Sequence, residues 1–214
     1  MKHSFIKDIW HNKSLLRSLM NREVARHSLG GRVVDIGGGV QPEYLQLFAK
    51  SSPVEVSSID LKVLVQGRPI NLETDTLPQV TATIDIVLAF NILEHIYNYR
   101  HVVSEMFRIL KPEGVLYGSV PFLINYHPDP HDFFRYTTEA LEKIFWEAGF
   151  SSIEIKNLGG GPMLVNYNTI VLSIPRVLRL ILLPLYLVMD KIFLWLRPQA
   201  RKRYPLGLFF IVRK

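Results

Sequence analysis

The stretch Val33-Val34-Asp35-Ile36-Gly37-Gly38-Gly39-Val40-Gln41-Pro42 constrains this chain more than any other. A short apolar run ends in an aspartate, three glycines follow, and a proline opens a segment, Glu43 to Lys50, that reads as a helix. The order is strand, glycine turn, helix N-terminus. Glycine lets the backbone turn tightly and admits a ligand where a Cβ would collide. A helix behind the turn would add unpaired N–H groups and the positive end of its dipole. Such a turn holds a nucleotide-like ligand against bare backbone. The dinucleotide fingerprint wants a further glycine where Pro42 stands. On this stretch alone, a tight turn with no ligand stays open.

The pattern continues as an alternation of strands and helices. The first strand is expected at about Arg32 to Ile36, after the breaker Leu29-Gly30-Gly31. A second, Val54 to Ile59, ends at Asp60, about twenty residues past the glycines, where a βαβ unit places a carboxylate over a ribose. A carboxylate accepts two hydrogen bonds from a 2′,3′-diol; the competing role for Asp60 is to cap a turn. Ile70-Asn71-Leu72 reads as a short third strand or its exit. Ile84 to Phe90 is nearly continuously apolar, as a central parallel strand requires. A helix over His101 to Leu110 stops at Lys111-Pro112-Glu113-Gly114, and Val115 to Val120 is a fifth strand. A helix over Thr138 to Ala148, a sixth strand over Ser152 to Lys156 and a seventh over Leu208 to Val212 complete the series. The expected fold class is α/β: a doubly wound, seven-stranded, mostly parallel sheet with ligands at the carboxyl ends of its strands. Apolar positions at helical spacing between His3 and Ser28 predict one or two amphipathic helices ahead of it.

Composition narrows the function classes. A chain of 214 residues suits one domain, 1–214, with room for an insertion. The 48% hydrophobic and 21% charged residues exclude a disordered chain. With no cysteine there is no disulfide, zinc-thiolate site or catalytic thiol, which fits a reducing cytoplasm. Met1 to Leu29 lacks the apolar core of a signal peptide, so secretion is not expected. The net charge of +6 concentrates at the two ends, as in Arg17, Arg22 and Arg26, then Arg197, Arg201, Lys202 and Arg203. The C-terminal basic residues flank aliphatic runs rather than the stacking aromatics of a nucleic-acid module. An anionic membrane surface is the expected partner, and nucleic acid is not.

Four stretches together resemble the class I S-adenosylmethionine-dependent methyltransferases: Val33 to Gly39, Ser58 to Leu61, Asp85 to Ile96 and Arg108 to Tyr117. The likeness covers about residues 30 to 158, the cofactor-binding core, and resumes at 207. It is of the methyltransferase type 11 kind, and His127 to Thr137 looks like a subgroup linked to bacterial glycan or sugar modification. The resemblance implies S-adenosyl-L-methionine as cofactor and assigns roles by position. Asp35 sits under the turn and approaches the ligand's amino group, Gly37, Gly38 and Gly39 cradle its methionine part, and Asp60 with Leu61 holds the ribose. Asn71-Leu72 stands where members often carry Asp-Leu facing the adenine, with Glu73 or Asp75 as substitutes. Phe90 and Asn91 line the sulfonium pocket. Glu94-His95 invites a general-base reading, although in this family the pair starts a helix and braces the fold.

Methyl transfer from a sulfonium needs positioning and desolvation, and a hydroxyl acceptor also gains from a base near neutrality. The expected catalytic candidates lie in the loop after the fifth strand: His131, with Asp132 orienting it, His127, and Tyr136 touching substrate. The same loop could simply be packed, with Arg135 paired to Asp132. A metal on His127, Asp129, His131 and Asp132 fits by side-chain type but lacks helical His spacing, so no metal is expected.

Between the last two strands lies an apolar insertion, residues 159–206. Its middle is rich in Leu, Ile and Val but broken by Arg176, Arg179, Asp190, Lys191, Pro175 and Pro184, so it offers no spanning segment. It is expected to dip into one leaflet or lie at the interface; a helical lid or dimer interface is the alternative. The expected activity is O-methylation of a glycosyl or other hydroxyl acceptor, in one form lipid-linked, at the cytoplasmic face. Small-molecule or quinone methylation, and a non-catalytic membrane-associated scaffold, are the rivals.

Overall fold

A computed structural model describes residues 5–11, 13–39, 42–60 and 69–214. Helices α1 (Phe5–Trp10) and α2 (Leu15–Val24) lead into strand β1 (Ser28–Ile36) and then β2 (Ala49–Ile59). Strand β3 (Ile84–Phe90), helix α3 (Tyr99–Ile109), β4 (Leu110–Pro121), α4 (Thr138–Glu147) and β5 (Ser152–Leu158) follow. Helices α5 (Pro162–Ile170) and α6 (Arg176–Leu196) precede the last strand, β6 (Gly207–Arg213).

The described residues form one six-stranded sheet in the order β2-β1-β3-β4-β6-β5. The pairings β1–β2, β1–β3 and β3–β4 are parallel, and β6 runs antiparallel to both β4 and β5. The expectation of seven strands is corrected to six. The expected third strand, Ile70-Asn71-Leu72, is a turn: the Asn71 carbonyl accepts from the Asp75 amide at 2.8 Å and its side-chain oxygen from the Glu73 amide at 3.0 Å. Asparagine offered the backbone a local partner, and the ladder lost the competition.

Alternate residues of each strand serve opposite layers, as the two-residue period demands. Val34, Ile36, Val87, Ala89, Leu116, Phe210 and Val212 pack with Val102, Met106, Leu141 and Phe145 of α3 and α4. Val33, Ile86, Leu88, Phe90, Tyr117 and Phe209 pack on the other face with α1, α2, α5 and α6 through Ile9, Met20, Tyr167 and Leu183. Strand β3 is therefore apolar nearly throughout because both of its faces are covered.

Strands β2 and β4 start earlier than expected, at Ala49 and Leu110, and two further differences flank the glycine turn. Strand β1 begins at Ser28, with Gly30 and Gly31 inside it at a register shift, so the glycines make a bulge rather than a break. The expected helix Glu43 to Lys50 is a four-residue 3-10 turn, Glu43–Gln46. Strand β2 starts pairing at Ala49, which leaves too few residues to nucleate an α-helix. Among the described residues no α-helix dipole therefore stands directly behind the glycine turn.

Candidate functional site

The chain runs from β1 outward to β2, then crosses back to β3 on the other side of β1. That reversal opens a crevice at the carboxyl ends of β1 and β3, the usual ligand position in such sheets. Asp35 pairs in register with Ser58 of β2 and Leu88 of β3, so Gly37–Gly39, Asp60 and Asn91 emerge along one edge.

The glycine turn is fixed from below. The Gly37 amide donates to the Ile59 carbonyl at 2.8 Å, and Gly37 adopts φ +79°, with Ile92 packed where a Cβ would be. A Cβ on Gly38 would lie 2.0 Å from Asp35 Oδ2 and 2.2 Å from the Tyr44 hydroxyl, so the turn closes over Asp35 only as glycine. Among the described residues nothing lies within 4 Å of where a Cβ on Gly39 would stand. The Gly39 amide donates to Asp60 Oδ2 at 3.1 Å, which brings the turn and the second-strand carboxylate together as the sequence requires.

Asp35 is fully buried. Its Oδ1 accepts from the Tyr44 hydroxyl at 2.6 Å, while Oδ2 is buried with no hydrogen-bond partner among the described residues. Burial pushes its carboxyl up to about 7, against the Tyr44 bond, and the Asp60 charge adds to the rise. A buried carboxylate with one oxygen unsatisfied is a cost that a cationic ligand at the turn would offset. The orphaned oxygen, the open face at Gly39 and Asp60 fit a ligand carrying both an ammonium and a diol, as S-adenosylmethionine does.

Other expected cofactor contacts are distributed differently. Phe90 is buried edge-on to Tyr44, with ring centres 4.8 Å apart. Asn91 adopts φ +51° and is pinned to β4: its amide donates to the Ser119 carbonyl at 2.8 Å and its Oδ1 accepts from the Ser119 hydroxyl at 2.7 Å. Left-handed backbone at a non-glycine residue is concentrated at functional sites. Asn71 spends its acceptor in its own turn, and Leu72 packs against the α3–α4 layer. Glu73 accepts from the Tyr97 amide and Asp75 from the Asn71 amide, each at 3.0 Å, so both candidate substitutes hold local structure. Leu61 lies outside the described residues.

The loop between β4 and α4 meets the 3-10 turn Leu93–His95 after β3. Asp132 does not orient His131. It accepts from the His127 amide at 3.0 Å and forms a two-point pair with Arg135, whose Nη2 is 2.7 Å from Oδ2. That guanidinium holds the Asp132 carboxyl well below the usual carboxylate range. His131 is exposed, its ring 5.2 Å from that of Phe133, and its carbonyl contacts His95 Nδ1. Tyr136 is buried and donates to the Leu93 carbonyl at 3.1 Å, which ties the loop to the turn instead of presenting a hydroxyl to substrate. His127 stands between Glu94 and Asp132, 3.8 Å from Glu94 Oε1, and the Glu94 carboxylate raises its pKa against partial burial. Glu94 itself is fully buried, and among the described residues neither carboxylate oxygen has a hydrogen-bond partner. Tyr44 and Glu94 are the residues that sequence reasoning undervalued. Tyr44 carries no motif, and Glu94 was singled out only in its pair with His95, as a general-base candidate or a brace of the fold.

The family model for a methyltransferase domain matches residues 9–155, well over half of the chain. Over 94 residues the chain is 29% identical to a "probable S-adenosylmethionine-dependent methyltransferase" of Mycobacterium tuberculosis, 41% of this chain and 34% of that protein. A similarly described protein of Mycolicibacterium smegmatis is 40% identical over 52 residues, 24% of this chain and 20% of the relative. The aligned region thus spans a fifth to a third of the length of these curated relatives. Among solved structures, a SAM-dependent methyltransferase from Archaeoglobus fulgidus superposes with a TM-score of 0.58 at 16% identity, over 98% of this chain and 99% of that one. That likeness speaks for the fold. The family match, together with the glycine turn over Asp35 and the carboxylate at Asp60, places this chain in the class I S-adenosylmethionine-dependent methyltransferases, enzymes whose cosubstrate is S-adenosylmethionine.

Proposed function

We propose that this chain transfers a methyl group from S-adenosylmethionine to a hydroxyl of a glycosyl acceptor carried on a lipid, working at the cytoplasmic face of a membrane. The donor part of the reading rests on one observation, the convergence of Gly39 and Asp60 at 3.1 Å over the orphaned Asp35 oxygen. Gly37 to Gly39 would hold the methionine part of the donor, Asp60 its ribose, and Phe90 and Asn91 would border the sulfonium. The donor supplies an electrophilic methyl on a good leaving group, so the protein's work is positioning and exclusion of water. His127, half-exposed beside Glu94 and Asp132, is the side chain offered to the acceptor.

Two features support the lipid-linked, peripheral part of the reading. A cleft of about 1540 Å³ lies between the β4 exit and α6, with Phe122 and Thr137 on one side and Leu187, Leu194 and Trp195 on the other. Along α6, Val177, Ile181, Leu185, Val188, Ile192 and Trp195 recur at three- and four-residue intervals and are all exposed, Trp195 to 80%. Arg176 lies at one end of this stripe and Arg197, Arg201, Lys202 and Arg203 at the other. An apolar stripe with basic ends and an exposed tryptophan suits the interface of an anionic leaflet. Among the described residues, no helix is long and apolar enough to cross a membrane.

Calorimetry with S-adenosylmethionine and S-adenosylhomocysteine tests the donor site. Binding is expected in the micromolar range, weakened at least tenfold in Asp60→Ala, which corresponds to about 1.4 kcal/mol or more. No heat at millimolar ligand would overturn the reading. Transfer of radiolabelled methyl to a lipid extract, sensitive to glycosidase treatment, tests the acceptor.

A further inference from the structure

We propose that Glu94, His95 and His127 form a mononuclear site for a divalent transition-metal ion, with two imidazoles and one carboxylate as ligands and the remaining positions turned to the acceptor. The proposal deepens the hydroxyl-methylation reading and rests on it for the ion's role, though not for its binding.

Three independent features point at an ion. Glu94 is buried to 0% exposure, and among the described residues neither of its oxygens has a hydrogen-bond partner, an arrangement too costly to leave unexplained. Two imidazole nitrogens flank the same oxygen: His95 Nε2 lies 3.7 Å and His127 Nε2 3.8 Å from Glu94 Oε1, and the three candidate ligand atoms lie within 4.8 Å of one another. These separations are too long for hydrogen bonds. Ligands of a tetrahedral ion with bonds of about 2.1 Å stand about 3.4 Å apart, so each imidazole nitrogen is within a few tenths of an ångström of ligand spacing from Glu94 Oε1. Finally, the far side of each ring is already fixed. His95 Nδ1 meets the His131 carbonyl, and His127 Nδ1 lies 3.2 Å from the Asn125 carbonyl and 3.4 Å from Asp132 Oδ2. A carbonyl only accepts, so each Nδ1 carries a proton, and in the neutral ring the Nε2 lone pair is left for an ion beside Glu94. Outer partners of this kind orient histidine ligands in metal sites.

A salt bridge between a protonated histidine and Glu94 explains the arrangement less well. It would draw one nitrogen to about 2.8 Å and leave the other idle, whereas here two nitrogens stand nearly equidistant from one oxygen. The donor set of two imidazoles and a carboxylate favours zinc, cobalt, iron or manganese over magnesium or calcium.

Placement gives the ion its task. Glu94 follows Asn91 by three residues at the carboxyl edge of β3, and the His127 side chain is 37% exposed where the acceptor would enter. An acceptor hydroxyl taking an open position loses its proton to water more readily, because the cation stabilises the alkoxide. The alkoxide oxygen then forms a bond to the methyl carbon as the carbon–sulfur bond breaks, leaving the methyl ether and the neutral thioether.

The test uses the full chain loaded with Co2+, dialysed, and measured by elemental analysis and visible absorption. One Co2+ per chain is expected, with ligand-field bands of a low-coordinate nitrogen–oxygen site. Affinity should fall more than about tenfold in Glu94→Gln and in His127→Ala, and should be unchanged in His11→Ala. His127 lies in a partly exposed loop, so its variant should fold, as thermal unfolding will check. Absence of stoichiometric cobalt in the wild type, or retention of wild-type affinity in both ligand variants, overturns the proposal. Calorimetry with S-adenosylmethionine on the same samples keeps the two readings separate. Wild-type protein that binds cobalt but not S-adenosylmethionine would defeat the methyl-transfer reading and leave the metal site standing.

Discussion

At the scale of single residues, the site turns on the contact between Gly38 and Asp35. Gly38→Ala drives a methyl into two buried groups that are bonded to each other, Asp35 Oδ2 at 2.0 Å and the Tyr44 hydroxyl at 2.2 Å. A loss of about 1–3 kcal/mol is expected in urea unfolding, the ordinary cost of overpacking. Asp35 makes a pH prediction. Its folded-state pKa, about 7, lies above the ordinary carboxylate value, with Tyr44 and Asp60 as the groups that face it. The folded chain therefore binds more protons than the unfolded one between about pH 4 and pH 7, and stability falls as pH rises through that window. Asp35→Asn cannot ionise and should keep that stability, so above pH 7 the ligand-free variant should unfold at a higher temperature than the wild type. The same variant should bind S-adenosylmethionine more weakly, because the donor's ammonium loses its charge partner. For the wild type, affinity should rise as pH approaches 7. Calorimetry at pH 5.5 and 8 checks both signs. The motif residues were readable from the chain, but the orphaned oxygen was not: burial of a carboxylate depends on Tyr44, nine residues away and unmarked by any pattern.

At the scale of elements, α6 carries the prediction. The helix is not a detachable appendage. It packs against α5 and α1, buries Leu183, and sends Asp190 back to accept from the Met163 and Leu164 amides at 3.0 and 3.3 Å, capping α5. Excising the insertion would therefore unfold its neighbours, and surface substitution is the sharper tool. The triple change Ile181→Glu, Leu185→Glu and Ile192→Glu touches only exposed positions. It should abolish co-sedimentation with phosphatidylglycerol vesicles while leaving the unfolding midpoint within a few degrees. Equal sedimentation of wild type and variant would defeat the membrane assignment. The extents of β3 and α4 were readable because their apolar periods are unambiguous and Thr137 caps α4, accepting from the Ala140 amide at 3.1 Å. The segment after the glycine turn was misread because proline followed by glutamate is a sound helix start in isolation. Early pairing of Ala49 with Ser28 settled the matter instead.

For the whole molecule, the sheet order and the cofactor are linked through stability. A ligand that bridges Gly37–Gly39 and Asp60 joins β1 to β2 at the crevice and binds only the folded chain. S-adenosylmethionine at a hundredfold excess over its dissociation constant should therefore stabilise the protein by about 2.7 kcal/mol, read as a rise in unfolding temperature. Asp60→Ala should lose most of that rise. The sequence by itself determined the α/β class, the strand–glycine-turn edge and the carboxylates at 35 and 60. Those depend on hydrophobic period and on the backbone freedom of glycine, both local properties. Only the tertiary structure decided that the sheet has six described strands, that Asp132 serves His127 and Arg135 rather than His131, and that the side chains of Glu94, His95 and His127 come together. Those outcomes depend on which distant residues the chain crossings bring within a few ångströms, and no local pattern encodes that.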